Sequence, residues 1–294
     1  MKIGVVVVNR NDNYKDFERG IIHFKSMLDT FDEVNYIDWN SPNNSFLWEI
    51  QDKLPQTNKL KHFIITPDIA NYLIPDSKAQ QCNEGLSRNI GIRRSECDWI
   101  VSTNIDIIPP KREDLISIIE KLDPNTFYTV SRREAPKEVV YKHGHNNWET
   151  LREELYNTTP ERYFPAMVTP NDYYSLINCC GDFQLAHKNV WNKIKGFEEK
   201  MIYACFVDTN IQKKAKLNGF GLQAIYNPPL FHMEHGAYYT KEDGTRTSDP
   251  NHKGAYTGDT KAYNDVWEWV EWFEESQNDE NWGLGNVDIE YEII

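Results

Sequence analysis

The sequence predicts an α/β fold, a mostly parallel central sheet with helices on both faces. Residues 3–8, IGVVVV, form an apolar, largely β-branched run, the pattern of a strand buried on both faces of a parallel sheet. Strand-like runs then alternate with amphipathic stretches in the order β-α-β-α-β-α-β-α-β as far as residue 130. The stretch 86–110, LSRNIGIRRSECDWIVSTNIDIIPP, changes from helical period to a short apolar run at 99–103. That run ends in Asn104 and Asp106, with Pro109 and Pro110 close behind. Two oxygen-bearing side chains one residue apart, at the carboxyl edge of a central strand, form a place to hold a hard cation. Ligands of open α/β sheets collect outside that edge.

Taken in order, residues 9–13 form a polar turn, and Asp12 or Asn13 caps a helix over 14–28. A second strand covers 34–37, and Asp38 stands where it ends. An acid there can meet a nucleoside through ribose or base, or it can serve as a simple turn or cap. A short helix over 46–54 leads to a third strand at 62–66. Residues 67–84 read as a loop covering one side of the site. A helix capped near residues 112–114 and a strand at 127–130 close the regular part.

From residue 131 to 174 the pattern breaks into Tyr, Asn, Pro and charge, with a short helix at 148–156. It reads as an insertion over the binding face, where selectivity resides. A strand at 177–186, interrupted by Gly181-Asp182, precedes a short helix to Ile194 and a turn at 196–199. Asp208 opens or sits within a helix reaching Leu217, stopped by Asn218-Gly219. A last strand at 222–225 runs into a loop carrying residues 231–235, FHMEH. Residues 1–235 make one domain. Residues 236–294 add a Gly-rich loop, an aromatic helix over 260–275 with Trp267, Trp269 and Trp272, and an acidic tail packed on the same domain. The tail docks as an edge strand or frays.

Composition narrows the function. A formal charge of −13 on 294 residues argues against a nucleic-acid partner, because backbone binding needs dense Lys and Arg. Five cysteines show neither CxxC nor zinc spacing and fit reduced thiols. The first residues read as a strand and not as a leader or membrane span, so a cytoplasmic location and no transmembrane segment are expected. Trp148, Trp191 and Tyr203 are candidate sugar platforms or core residues. Residues 9–14 contain no glycine, which disfavours a phosphate-cradling loop and with it a sugar-phosphate nucleotidyltransferase.

Three pieces in order resemble a known family. They are Arg88-Asn89-Ile90-Gly91 with Asn104-Ile105-Asp106, then Gly181 to Lys188 with Gly196-Phe197-Glu198, then Val207-Asp208 with Lys213 or Lys214 and Gly219. Together they are similar to the GT-A (Rossmann-like) glycosyltransferases of the inverting, nucleotide-sugar-dependent family 2 type, with Asn104 where the DxD signature has its first Asp, and Val207 before Asp208. The resemblance implies transfer of a hexosyl or pentosyl unit from a UDP- or GDP-linked donor to a hydroxyl of a glycan or glycoconjugate. It implies Asp208 as general base, and Asp38, Arg88, Asn104, Asp106 and Asp182 on the nucleotide sugar. Mn²⁺ or Mg²⁺ takes oxygen ligands and one or two protein groups. Asp106 supplies one; His232, or its rival His235, supplies a nitrogen that favours Mn²⁺. The departures at Asn104 and Val207 keep open a degenerate scaffold that binds glycans.

Overall fold

The computed structural model describes residues 1–11, 16–42, 44–73, 83–158, 181–201, 207–234, 238–240, 246–248 and 278–294. The amino-terminal half carries β1 (Ile3–Asn9), α1 (Phe17–Thr30), β2 (Glu33–Trp39), α2 (Phe46–Ile50), β3 (Leu60–Ile65), α3 (Pro67–Leu73), α4 (Glu84–Arg94) and β4 (Trp99–Thr103). Then come β5 (Ile107–Ile108), α5 (Arg112–Ile119), β6 (Thr126–Ala135), α6 (Lys137–His143) and α7 (Trp148–Thr158). The remainder supplies β7 (Phe183–His187), α8 (Lys188–Ile194), α9 (Val207–Leu217), β8 (Gly221–Met233), the hairpin of β9 (Tyr238–Thr240) and β10 (Arg246–Ser248), and β11 (Tyr291–Ile293).

Among the described residues, nine strands form one sheet in the order β11-β3-β2-β1-β4-β7-β6-β8-β5. Strands β3, β2, β1 and β4 run parallel, as do β6 and β8. Strand β7 lies antiparallel between β4 and β6. Direction is a detail that apolar periodicity does not encode, and here it matters. Because β7 runs against β4, its first residue pairs with the last of β4, Thr103 with Phe183. Asp182 therefore stands just before its strand where Asn104 stands just after its own.

The alternation of β1 divides the core. Ile3, Val5 and Val7 pack toward α1, α2 and α5, while Val6 packs toward α4, α8 and α9. Helices thus cover both faces, as strands apolar on both sides require. A third cluster joins Ile22 of α1 to Val140 of α6, Leu151 and Leu155 of α7, and Phe231 and Met233 of β8.

Several expectations change in detail. Residues 67–73 are helical where a loop over 67–84 is expected, and residues 74–82 lie outside the described residues. Strand β6 runs on to Ala135 and α6 follows, so order persists beyond residue 131. Strand β8 continues to Met233 through Asn227-Pro228-Pro229, with a register shift opposite Val130 and Arg132. His232 therefore stands in a strand and not in a loop. Prolines are rare within strands, which is why the pattern seemed to stop at residue 225.

The acidic tail docks. Strand β11 adds antiparallel to the edge of β3, and Trp282 is buried against the α4 face of the core. Arg93 donates to the carbonyls of Glu280 and Trp282, and Arg94 to those of Gly283, Leu284 and Val287. Gly283 has φ +61°, and a Cβ there would lie 2.5 Å from the Asn89 carbonyl oxygen, so only glycine fits this approach. The expected aromatic helix at 260–275 lies outside the described residues. So do Tyr203 and every cysteine except Cys97, which is free, buried and pushed up to about 12 by burial.

Candidate functional site

The carboxyl edge of β4 gathers the polar side chains. Arg88, on the α4 face that meets the sheet, is buried and reaches forward to this edge. Its guanidinium donates to the Ser102 hydroxyl at 2.7 Å, the Thr103 carbonyl at 3.2 Å and the Asn104 side-chain oxygen at 2.6 Å. The ion pair with Glu84 one turn earlier also forms, at 3.4 Å. Asn104 uses its other end to donate to Asp182 at 2.8 Å. Thr103 anchors the same segment, its hydroxyl donating to the Asp182 carbonyl at 2.5 Å.

From Asp182 the network continues across the sheet. Arg132 pairs with Asp182 and, at 2.9 Å, with Glu134. Glu134 meets His232 Nδ1 at 2.7 Å, and His232 Nε2 lies 3.2 Å from Asp106 Oδ2. Backbone register accounts for the approach, since Glu134 pairs with His232 between β6 and β8, and His232 with Ile107 between β8 and β5. Met233 N also donates to the Asp106 carbonyl at 2.8 Å. Burial pulls the His232 imidazole down. Its hydrogen bonds to Asp106 and Glu134, and the Asp182 charge, outweigh burial and raise it to about 10. Arg132 and Glu134 went unnoticed in the sequence. They alternate toward one face of β6, but two charges in an SRREA run carry no local signal of what they meet.

Asp208 is the second residue of α9, in the first turn of the helix. Gly181 makes its position available: a Cβ there would lie 2.8 Å from the Asp208 Cβ. Gln184 donates to the Asp208 carbonyl at 3.3 Å, and Thr209 N to its carboxylate at 2.9 Å. Burial pushes the Asp208 carboxyl up to about 6, with the charges of Glu84 and Asp182 adding to the shift. Such a group is ionised at neutral pH yet basic enough to take a proton.

Asp38 occupies the same edge two strands away, roughly 10 Å from β4 by strand spacing. It pairs with Asn9, just beyond the level of Val7 and Thr103. Its carboxylate is buried and accepts from Ser41. Arg88, Asn104, Asp182, Arg132, Glu134, His232 and Asp106 thus form one connected network, with Asp208 in electrostatic reach of Asp182. Asp38 lies on the same edge outside it. His235 lies outside the described residues. Among the expected sugar platforms, Trp191 is core, fully buried with its indole donating to the Ile100 carbonyl at 3.1 Å. Trp148 stacks on Arg152 at 4.9 Å. Of Lys213 and Lys214, the latter is buried 3.9 Å from Glu198, and burial pulls it down to about 8.

Once a divalent cation displaces the Nε2 proton of His232, the pair Asp106 and His232 would offer it one oxygen and one nitrogen. Two neighbouring ligands of an octahedral ion at about 2.1 Å lie about 3.0 Å apart, close to the 3.2 Å between Oδ2 and Nε2. Glu134 on Nδ1 is the carboxylate that orients a ligating imidazole. Among the described residues no group of three or more His, Cys, Asp or Glu side chains converges on one point, so the protein would supply a minority of the ligands, as is usual for an ion shared with phosphates.

No protein-family profile matches the chain, and no curated protein matches it in sequence. Solved structures do match in fold. S. aureus TarS 1-349 superposes with a TM-score of 0.50 at 15% identity, over 79% of this chain and 60% of that one. The same region in complex with UDP gives 0.51 at 15% identity, over 80% and 61%. S. aureus TarS gives 0.51 at 14%, over 80% of this chain and 37% of that chain. The chain therefore spans less than two thirds of the TarS chains it resembles, and TarS is a GT-A, family 2-like glycosyltransferase. No helix among the described residues is long and apolar enough to cross a membrane. The architecture of this chain is that of the GT-A glycosyltransferases.

Proposed function

We propose that the chain is an inverting glycosyltransferase, moving a hexosyl or pentosyl unit from a UDP- or GDP-linked sugar to a hydroxyl of a glycan or glycoconjugate. The observation that carries this reading is Asp208, a half-buried carboxylate raised to about 6 and set beside the Asp182–Asn104–Arg88 chain at the carboxyl edge of the sheet. The UDP complex of TarS, in the same fold, supports a nucleotide donor.

Asp208 takes the acceptor's hydroxyl proton as that oxygen bonds to the anomeric carbon. The bond from the anomeric carbon to phosphate oxygen breaks on the opposite side, and its electron pair leaves with the nucleoside diphosphate. Asp182 orients sugar hydroxyls. Arg88 adds positive charge near the diphosphate, and Asp38 holds the nucleoside. Asp106 and His232 would hold Mn²⁺ or Mg²⁺, which when bound acts as a Lewis acid toward the leaving diphosphate.

One observation favours a second reading, a degenerate glycan-binding scaffold. The Asn104 amide is engaged at both ends by Arg88 and Asp182, which leaves Asp106 as the one carboxylate of its motif. A panel of UDP- and GDP-sugars with Mn²⁺ and mixed glycan acceptors separates the readings. Transfer releases nucleoside diphosphate, a nucleotidyltransferase releases pyrophosphate, and a scaffold releases neither and binds no UDP.

A further inference from the structure

A chain of hydrogen bonds runs from the carboxyl-terminal strand to Asp38, and none of the steps above uses it. Glu292 on β11 accepts from His62 Nδ1 at 2.6 Å, and His62 Nε2 lies 2.9 Å from the Ser45 hydroxyl. Ser45 in turn hydrogen-bonds Asp38, which also accepts from Ser41. Trp48 donates its indole N–H to the same Glu292 oxygen. Ser45 stands at the N-cap of α2, yet its hydroxyl makes no cap bond; it is engaged by His62 and Asp38. The order Ser, His, Glu is that of a hydrolytic triad. The Ser45 hydroxyl is taken up by His62 and Asp38, so the chain acts through what it holds.

We propose that the carboxyl-terminal strand completes the nucleoside end of the site. Glu292 orients His62, His62 orients Ser45, and Ser45 orients Asp38, making the first three positioning residues for the nucleoside. This rests on the reading of Asp38 given above.

Proton bookkeeping makes the role specific. An ionised carboxylate only accepts hydrogen bonds. For Asp38 to present itself to a base as an acceptor, Ser45 must point its O–H at Asp38 and accept from Nε2–H. Glu292 accepts Nδ1–H, so this arrangement needs protons on both ring nitrogens, and the Glu292 charge favours that imidazolium against the burial that pulls it down. Without that charge the chain reverses: Nε2 accepts from Ser45, and Asp38 keeps a proton and donates to Ser45. Burial already pulls Asp38 up and His62 down, so the balance leans on Glu292. The charged groups acting on this pair are each other and Glu292. Beside them the uncharged Tyr36 ring packs 5.3 Å from the imidazole, and Trp48 crosses it edge-on at 5.8 Å.

The test uses the full chain and titrates UDP, and GDP in parallel, with Mn²⁺ by calorimetry from pH 6 to 8.5, for wild type, Glu292→Gln and Ser45→Ala. Glu292→Gln keeps an acceptor for the imidazole and should weaken UDP about tenfold relative to wild type at the acid end. That ratio should close as the pH rises and Asp38 loses its proton. Ser45→Ala, which leaves β11 untouched, should weaken UDP across the range. In turnover the loss should sit in donor KM, with kcat within about twofold of wild type. A wild-type protein that binds neither UDP nor GDP overturns the nucleotide reading itself. A wild type that binds, with Ser45→Ala binding equally well, overturns the positioning chain whatever Glu292→Gln does.

Discussion

Asn104 donates its side-chain amide to Asp182 at 2.8 Å while accepting from Arg88 at 2.6 Å. It bridges a cation and an anion, which only a side chain with both a donor and an acceptor can do. An aspartate there would still serve Arg88 but would set a second carboxylate against Asp182. Asn104→Asp, which restores the full acidic motif, is therefore expected to lower transfer at least about tenfold and to destabilise the fold by about 1–3 kcal/mol. Nucleoside diphosphate release and thermal unfolding check both. Higher activity in the variant would show that Asn104 is a weakened metal ligand.

Arg132 ties Asp182 to Glu134 and has only 11% of its side chain exposed. Removing it leaves two part-buried carboxylates facing each other. Arg132→Met is expected to cost about 3 kcal/mol, and to release Asp182 from the position in which it meets Asn104. Urea unfolding measures the first effect and donor KM the second.

How much of this was legible beforehand differs by residue. The β1 run and the 86–110 stretch announced the sheet and its edge, because a strand buried on both faces needs apolar residues throughout. Asp106 was marked by a strand end and Asp182 by the glycine before it, while Asp208 was marked by its helix start and mostly by the family resemblance. Arg132 and Glu134 escaped, since their meaning comes from partners 50 and 98 residues away. His232 was found but placed in a loop, because Pro228-Pro229 masks the strand that carries it. The link from Glu292 to His62 spans 230 residues, and no local pattern announces such a contact. Trp191 has the composition of a sugar platform and the burial of a core residue, which only packing can distinguish.

The proposed metal dependence rests on Asp106, His232 and Glu134. Chelation is expected to abolish transfer, with Mn²⁺ restoring it better than Mg²⁺ because one ligand is a nitrogen. Glu134→Gln should weaken Mn²⁺ by about 10–100-fold, read by metal titration of activity. Full turnover in chelator would remove the ion from the reaction.

Asp208 also sets a stability signature. Its carboxyl rises from 3.8 unfolded to about 6 in the fold. Below pH 3.8 it is protonated in both states and costs nothing. Stability is lost as pH climbs between those values, and above about 6 the whole penalty stands, about 3 kcal/mol for a shift of two units. Asp208→Asn should therefore melt several degrees higher than wild type at pH 8 and at nearly the same temperature at pH 4.

The most direct measurement is transfer by Asp208→Asn, set beside its affinity for UDP with Mn²⁺. UDP should bind as in wild type while turnover falls by ~10²-fold or more, separating the base from the donor site. Near-normal turnover in this variant would mean that Asp208 takes no proton, and that the edge of β4 does not carry the chemistry assigned to it.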